Sequence, residues 1–215
     1  GRRVRFHGTR CPRSHGRTAP PSRRAMNKLL LRVCCGPDAT VPLPSLRSEG
    51  FDVVGYFYGS NIHPEDEYRL RRSVVETVFS LCGDSLLFPE YDPESWDMAV
   101  RGYESLPEGG GRCSLCFREQ LSCAARAAVS EGCGYLCTTL TISPHKDPVR
   151  INRIGERVAR SAGLEWVPRV FRKGDGFRKS LERSGELKLY RQIWCGCRYS
   201  FRGGETRKCA ETKTR

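Results

Sequence analysis

Regular patterning begins at Lys28, where Leu29, Leu30 and Leu31 run on through Arg32 to Val33 and Cys34. A short apolar run bounded by turn residues reads as a strand buried on both faces, and "DVVGYFY" from Asp52 to Tyr58 reads as a second. A proline-rich turn and a short helix stopping at Gly50 join them. Glu65 to Cys82 sets Leu70, Val74, Val78 and Leu81 at helical spacing, with acids in the first turn and Gly83 just past the end. Leu86 to Phe88 predicts a third strand, and Pro93 to Tyr103 a helix that opens on an early proline. A helix over Ser114 to Glu131, a strand over Tyr135 to Thr139, a helix over Val149 to Ala162 and a strand over Glu165 to Phe171 complete the pattern. Alternating strands and helices predict a single α/β domain, Rossmann-like, with an open parallel sheet of about five strands and helices on both faces. There is no internal repeat.

At 215 residues the chain is long enough for one sizeable core. Its net charge of +13 is concentrated at the start: residues 1–25 hold eight arginines and no acid, and subtracting them leaves +5. With Gly8, Pro12, Gly16, Pro20 and Pro21 and few apolar side chains, that segment is expected to be a disordered leader. Met26 then reads as the physiological start; an Arg-rich, acid-free leader also suits a transit peptide. Residues 26–200 form the expected domain, and residues 201–215 a basic flexible tail. No apolar run is long enough for a secretory signal or a membrane span, so the expectation is a soluble, cytoplasmic protein with no membrane partner.

Twelve cysteines without an export signal point to metal or redox chemistry rather than a disulfide scaffold. Three groups stand out: Cys34-Cys35, Cys113-Ser-Leu-Cys116 and Cys195-Gly-Cys197. Neighbours on an extended chain face opposite sides, so Cys34 and Cys35 are expected to find different partners. The CxxC at a helix start allows two thiolates to converge where the helix N-terminus favours negative charge. With the adjacent pair it makes four candidate ligands, enough for an all-cysteine zinc site or a 4Fe-4S cluster; dithiol redox chemistry is a third reading. Cys195 and Cys197, across a glycine that looks like a positional choice, either close into a strained disulfide or bind metal. Cys82, Cys123, Cys133 and Cys137 are expected to pack as small apolar residues, while Cys11 and Cys209 lie in the two terminal segments.

The polar candidates sit where ligands bind in open parallel sheets, beyond the carboxyl ends of the strands. Asp38 either caps the following helix or ligates a metal through oxygen. Asn61 and His63 follow the second strand, and Ser143, His145 and Lys146 follow the fourth. "VFRKGDGFRKS", residues 170–180, groups Arg172 and Lys173 with Phe171 and Phe177, a composition suited to phosphate contacts with stacking or to a wet surface loop. Arg191, just ahead of the CxC, completes the substrate-contact set. One glycine and two prolines in "CCGPDATVP" argue against a phosphate-cradling loop, and so against a nucleotide hydrolase or an ATP-dependent sulfur transferase.

Together, "VCCGPD", "GYFYGSNIHPEDEY", "GGGRCSLCF", "CTTLTISPHKD", "FRKGDG" and "LYRQIWCGCRYS" resemble the QueH-type, cobalamin-independent epoxyqueuosine reductases over roughly Leu30 to Ser200. The sequence departs from that pattern at Gly59-Ser60 and at Trp194. The resemblance implies an oxidoreductase of tRNA queuosine biosynthesis. It makes Cys34, Cys35, Cys113 and Cys116 the cysteines of a 4Fe-4S cluster and Cys195 with Cys197 a redox-active pair. It also implies epoxyqueuosine-bearing tRNA as substrate and an external electron donor, and it raises iron-sulfur above zinc. The non-catalytic alternative is a zinc-stapled RNA-binding module.

Turning an epoxide into an alkene consumes two electrons and two protons and releases water, whereas a 4Fe-4S cluster passes one electron at a time. A second partner is therefore expected. It is either the Cys195/Cys197 dithiol or an additional mononuclear iron held by Asp38 with leftover thiolates. Adjacent cysteines reach two centres more easily than one, which favours the iron. Spacing does not choose the proton donor among His63, His145 and Tyr199.

Overall fold

The structure, a computed structural model, describes residues 27–200. The expectations for the leader, Met26, Cys11, Cys209 and the tail lie outside the described residues. Five strands, β1 (Lys28–Val33), β2 (Asp52–Phe57), β3 (Ser85–Leu87), β4 (Tyr135–Thr138) and β5 (Glu165–Trp166), form one sheet in the order β3-β2-β1-β4-β5, every pair parallel. Seven helices accompany them: α1 (Gly36–Ala39), α2 (Pro42–Ser48), α3 (Glu65–Cys82), α4 (Pro93–Val100), α5 (Gly111–Ser130), α6 (Pro148–Ser161) and α7 (Gly176–Glu186). The predicted single-domain α/β fold with a covered parallel sheet is the observed one.

The period of two along β1 explains its sequence. Leu29, Leu31 and Val33 enter a core with Leu43 and Leu46 of α2 and Val75, Val78 and Phe79 of α3. Leu30 enters a second core with Trp96 and Val100 of α4, Leu121, Ala124 and Ala128 of α5 and Val158 of α6. Burying each leucine contributes roughly 1.5–3 kcal/mol, and both faces of the strand do so. Gly83 closes α3 where the pattern placed it, in the left-handed region at φ 69°, while Asp92 and Asp147, which the pattern did not single out, cap α4 and α6.

Several elements differ from the pattern, and α4 ends at Val100 rather than Tyr103. The buried face of α3 is Tyr68, Arg71, Val74, Val75, Val78 and Phe79, so Val74 and Val78 face inward as the pattern placed them while Leu70 and Leu81 are 40% and 64% exposed. A polar pair, Glu67 and Arg71, has taken inward positions. β5 stops at Trp166 rather than Phe171, because it is an edge strand against a short β4 and Pro168 has no N–H to offer. Residues 176–180, the second half of the basic run, are the start of α7. Its inward face is Gly176, Ser180 and Ser184 rather than large apolar residues. A Cβ at Gly176 would lie 1.7 Å from the Phe171 carbonyl, and Ser180 Oγ donates to Pro37 O at 2.8 Å, so the helix docks by close approach. Cys137 and Cys133 are buried in the two cores as small apolar residues, Cys82 is half-buried against the first, and Cys123, also half-buried, donates its thiol to Glu119 Oε1 at 3.2 Å and accepts from Arg126.

Candidate functional site

The strand order reverses between β1 and β4, and their diverging carboxyl ends open the crevice where open parallel sheets bind ligands. β1 delivers Cys34 and Cys35 there. Gly36 follows because α1 lies directly on α3: a Cβ would sit 2.6 Å from Val74 Cγ1 and 2.8 Å from Val74 O. The backbone at Cys35 is extended, at φ −166° and ψ 165°, yet the two thiols stay close together, and α1, which starts at Gly36, brings Asp38 to them. Ligand atoms of Cys34, Cys35 and Asp38 all lie within 4.8 Å of one another. Cys34 Sγ is 2.9 Å from Asp38 Oδ2 and 3.1 Å from Thr139 Oγ1, and Gln192 Nε2 donates to Cys35 Sγ at 2.9 Å.

These three groups cannot all ionise in so small a buried volume. The hydrogen bond from Cys35, helped by the Arg32 charge, Asp38 and Thr139, holds the Cys34 thiol well below its usual range. Burial and the neighbouring Cys34 push Cys35 well up, and burial with the Cys34 charge raises Asp38. Arg32 lies beneath them, 2% exposed, with Nε and Nη1 lacking any hydrogen-bond partner among the described residues. Burial lowers it, opposed by Cys34, Cys116, Cys35 and Asp38.

α5 brings the second pair. Its N-terminus starts three residues earlier than the pattern suggests, so Cys113 and Cys116 both sit in the first turns of the helix. Cys113 Sγ accepts from Gly109 N at 3.2 Å. Cys116 Sγ accepts from Trp96 Nε1 at 3.2 Å and Gln120 Nε2 at 2.8 Å, while burial pushes it up to about 11.

The third pair lies on the segment following α7, which crosses back over the crevice. Gly196 adopts φ 98°, and a Cβ there would come 3.0 Å from Arg71 Nη1 and 3.1 Å from Ile62 Cγ1. Arg71, 2% exposed on α3, donates to Cys195 O and Trp194 O, each at 3.1 Å. It is held in turn by Glu67 at 2.6 Å, and Tyr190 donates to the same carboxylate at 2.9 Å. Cys195 and Cys197 are free thiols, with Cys197 N donating to Cys195 Sγ at 3.4 Å. The hydrogen bond from Cys197, with Lys146 and Ser200, lowers Cys195 to about 6 against the cost of burial, and Cys197 is pushed up by that same pairing.

One cavity of about 990 Å³ joins these parts. Cys34, Asp38, Cys113, Cys116, Cys195 and Cys197 line it, as do the predicted contacts Asn61, Ser143, His145, Lys146 and Arg191. Burial works against the charge on Lys146, but Cys195, Cys34, Asp38 and Glu108 outweigh it and raise the ammonium. Three predicted contacts stand elsewhere. His63 is packed 5.4 Å from Trp96, and burial lowers it. Arg172 donates to the carbonyls of Ser143 and Lys146 at 3.2 and 2.8 Å, shaping the loop that lines the cavity. Lys173 is an exposed turn residue. Sequence reasoning passed over Arg32, Arg71, Trp96, Gln120 and Gln192. Arg32 did leave a signal, being the one charge inside an apolar strand buried on both faces.

The donor chemistry fits a thiolate-bound metal group. Crowded acids that must otherwise keep their protons, N–H donors aimed at sulfur and a buried guanidinium with unpaired N–H groups all favour an anionic metal–thiolate centre. A covered parallel sheet with thiol pairs gathered at its switch point is the architecture of an α/β redox or metal-binding protein.

The chain belongs to the QueH family: the family model described as Epoxyqueuosine reductase QueH matches residues 29–203. It is 40% identical to the Epoxyqueuosine reductase QueH of Streptococcus pyogenes over 80% of this chain and 69% of the relative. The protein of the same name from Thermotoga maritima is 34% identical over 82% and 91%, and that from Staphylococcus epidermidis 35% over 79% and 74%. Among the described residues no helix is long and apolar enough to cross a membrane.

Proposed function

We propose that the protein reduces epoxyqueuosine to queuosine in a tRNA anticodon loop, in the cytoplasm and with an external electron donor. The epoxide takes up two electrons and two protons, one C–O bond after the other breaks, and the oxygen leaves as water. The observation that carries this reading is convergence: Cys34, Cys113, Cys116, Cys195 and Cys197 line one cavity, with Cys35 and Asp38 within 4.8 Å of Cys34. Cys34, Cys35, Cys113 and Cys116 would hold a 4Fe-4S cluster, and Asp38 with a spare thiolate an adjacent iron, which when bound supply one-electron transfer and Lewis acidity toward oxygen.

The chain's own groups account for the rest. Closing Cys195 and Cys197 into a disulfide releases two electrons and two protons, the amount the epoxide consumes, and the external donor restores the dithiol. Lys146 offsets the negative charge of Cys195 and Cys34 beside the substrate space. Asn61, Ser143, His145 and Arg191 line the same cavity and offer polar contacts to the modified base.

The test is the iron and acid-labile sulfide content and visible spectrum of anaerobically purified protein, followed by turnover of epoxyqueuosine tRNA. Iron with sulfide and a turnover abolished by Cys113→Ala support the reading. Stoichiometric zinc without sulfide, with failed iron and sulfide reconstitution, would make the protein a zinc-stapled RNA-binding module instead.

A further inference from the structure

The outer face of α6 carries a row of arginines that the site does not use. Arg150, Arg153, Arg157 and Arg160 follow one another at spacings of three, four and three residues. At 3.6 residues per turn the four fall within an arc of about 80°, along roughly 15 Å of helix axis. The opposite face, Ile151, Gly155, Val158 and Ala159, is buried. The row starts at the rim of the cavity, since Arg150 is among the lining residues and its guanidinium reaches the Gly109 carbonyl at the start of α5.

In its middle the arginines lack the acid partners that those of α3 and α7 have. Every arginine of α3 and α7 is matched to an acid about a turn away: Arg69 to Glu65, Arg71 to Glu67, Arg72 to Glu76, Arg178 to Glu182, Arg183 to Glu186. On α6 the ends are matched likewise, Arg150 to Asp147 at 3.7 Å and Arg160 to Glu156 at 2.9 Å. Arg153 and Arg157 are exposed, one turn apart, and make no ion pair among the described residues. Two unmatched arginines whose Cβ atoms lie about 6 Å apart on one helix face, continuous with the mouth of a site that on the function proposed above takes a base from RNA, suit successive groups of a phosphate backbone.

Resting on the function proposed above, we infer that the outer face of α6 is the track for the phosphate backbone of the substrate RNA, with Arg153 and Arg157 as its principal contacts. Phosphate contacts of this kind position the RNA without reading its sequence, and each adds to the salt dependence of binding.

The experiment measures fluorescence anisotropy of an unmodified anticodon stem–loop RNA with the full-length holoenzyme across a salt series. Arg153→Ala/Arg157→Ala is compared with Arg178→Ala/Arg183→Ala, which removes the same charge from α7. The α6 variant is expected to bind about tenfold more weakly at low salt and to flatten the plot of log affinity against log salt by about 1.5–2, with the α7 variant close to wild type. An unchanged slope in the α6 variant, or an equal loss in both variants, overturns the inference. So does wild-type binding to anionic lipid vesicles with no salt-dependent binding to RNA. Because the probe carries no epoxide, its result is independent of turnover: an unchanged slope in an active reductase sinks the track alone, while absent turnover with a flattened slope sinks the reaction alone.

Discussion

Replacing Arg71 by Met tests how the Cys195-Gly-Cys197 segment is held. Arg71 and Glu67 are 3% and 8% exposed at their side chains, and the guanidinium spends its remaining donors on the Trp194 and Cys195 carbonyls. Met keeps most of the stem's volume but leaves the Glu67 carboxylate buried with Tyr190 and no cation. Breaking a buried pair from one side costs roughly 3–5 kcal/mol, which at a urea m-value of about 2 kcal/mol/M lowers the unfolding midpoint by about 1.5–2.5 M. Part of the loss can surface as local release of the segment, whose other anchors include Gln192 on Cys35, His63 N on Gly196 O and Arg198 on Asp97. Turnover is then expected to fall at least tenfold and the alkylation rate of Cys195 to lose its wild-type pH dependence. The double variant Glu67→Gln/Arg71→Met removes the stranded charge and should recover stability without recovering activity. An Arg71→Met protein with wild-type midpoint, turnover and Cys195 reactivity would refute the reasoning.

Other outcomes follow from the same geometry. Cys195, lowered to about 6 by Cys197 and Lys146, is thiolate at neutral pH. Since the thiolate is the nucleophile, iodoacetamide labelling at Cys195, followed by tandem mass spectrometry, should rise with pH through about 6 and level off by about 8, while Cys197 stays protonated and slow. An inflection at the ordinary thiol range would contradict the assigned pairing. Gly196→Ala puts a Cβ at a positive φ, 3.0 Å from Arg71 Nη1; we expect a cost of about 1–2 kcal/mol, read as lost turnover with the cooperative unfolding of the domain retained. Gly155→Ala, whose Cβ would lie 2.4 Å from the Trp166 ring, should lower the thermal midpoint at a cost of about 1–3 kcal/mol, and a full-stability variant would show that α6 and β5 separate easily.

What the chain's own order determined is what short-range pattern can carry. Apolar runs near Leu30 and Val54, a proline at a helix start, acids in a first turn and glycines at helix ends mark the elements of a parallel sheet. Thiol pairs at the ends of those elements mark the chemistry. Tertiary structure decided the remainder, because it concerns groups far apart in sequence. Gly176, Ser180 and Ser184 carry no hydrophobic signal, and only the approach of Pro37 and Phe171 makes them the inward face of a helix. Arg71 looks like one more surface arginine of α3 until the carbonyls of residues 194 and 195, more than a hundred positions on, arrive beside it. Asp38 reaches Cys34 and Cys35 because α1 starts at Gly36 directly against α3, where Val74 leaves no room for a Cβ. Burial raises the energy of every unpaired polar group, so the fold had to bring distant partners together, and no local pattern records which ones it chose.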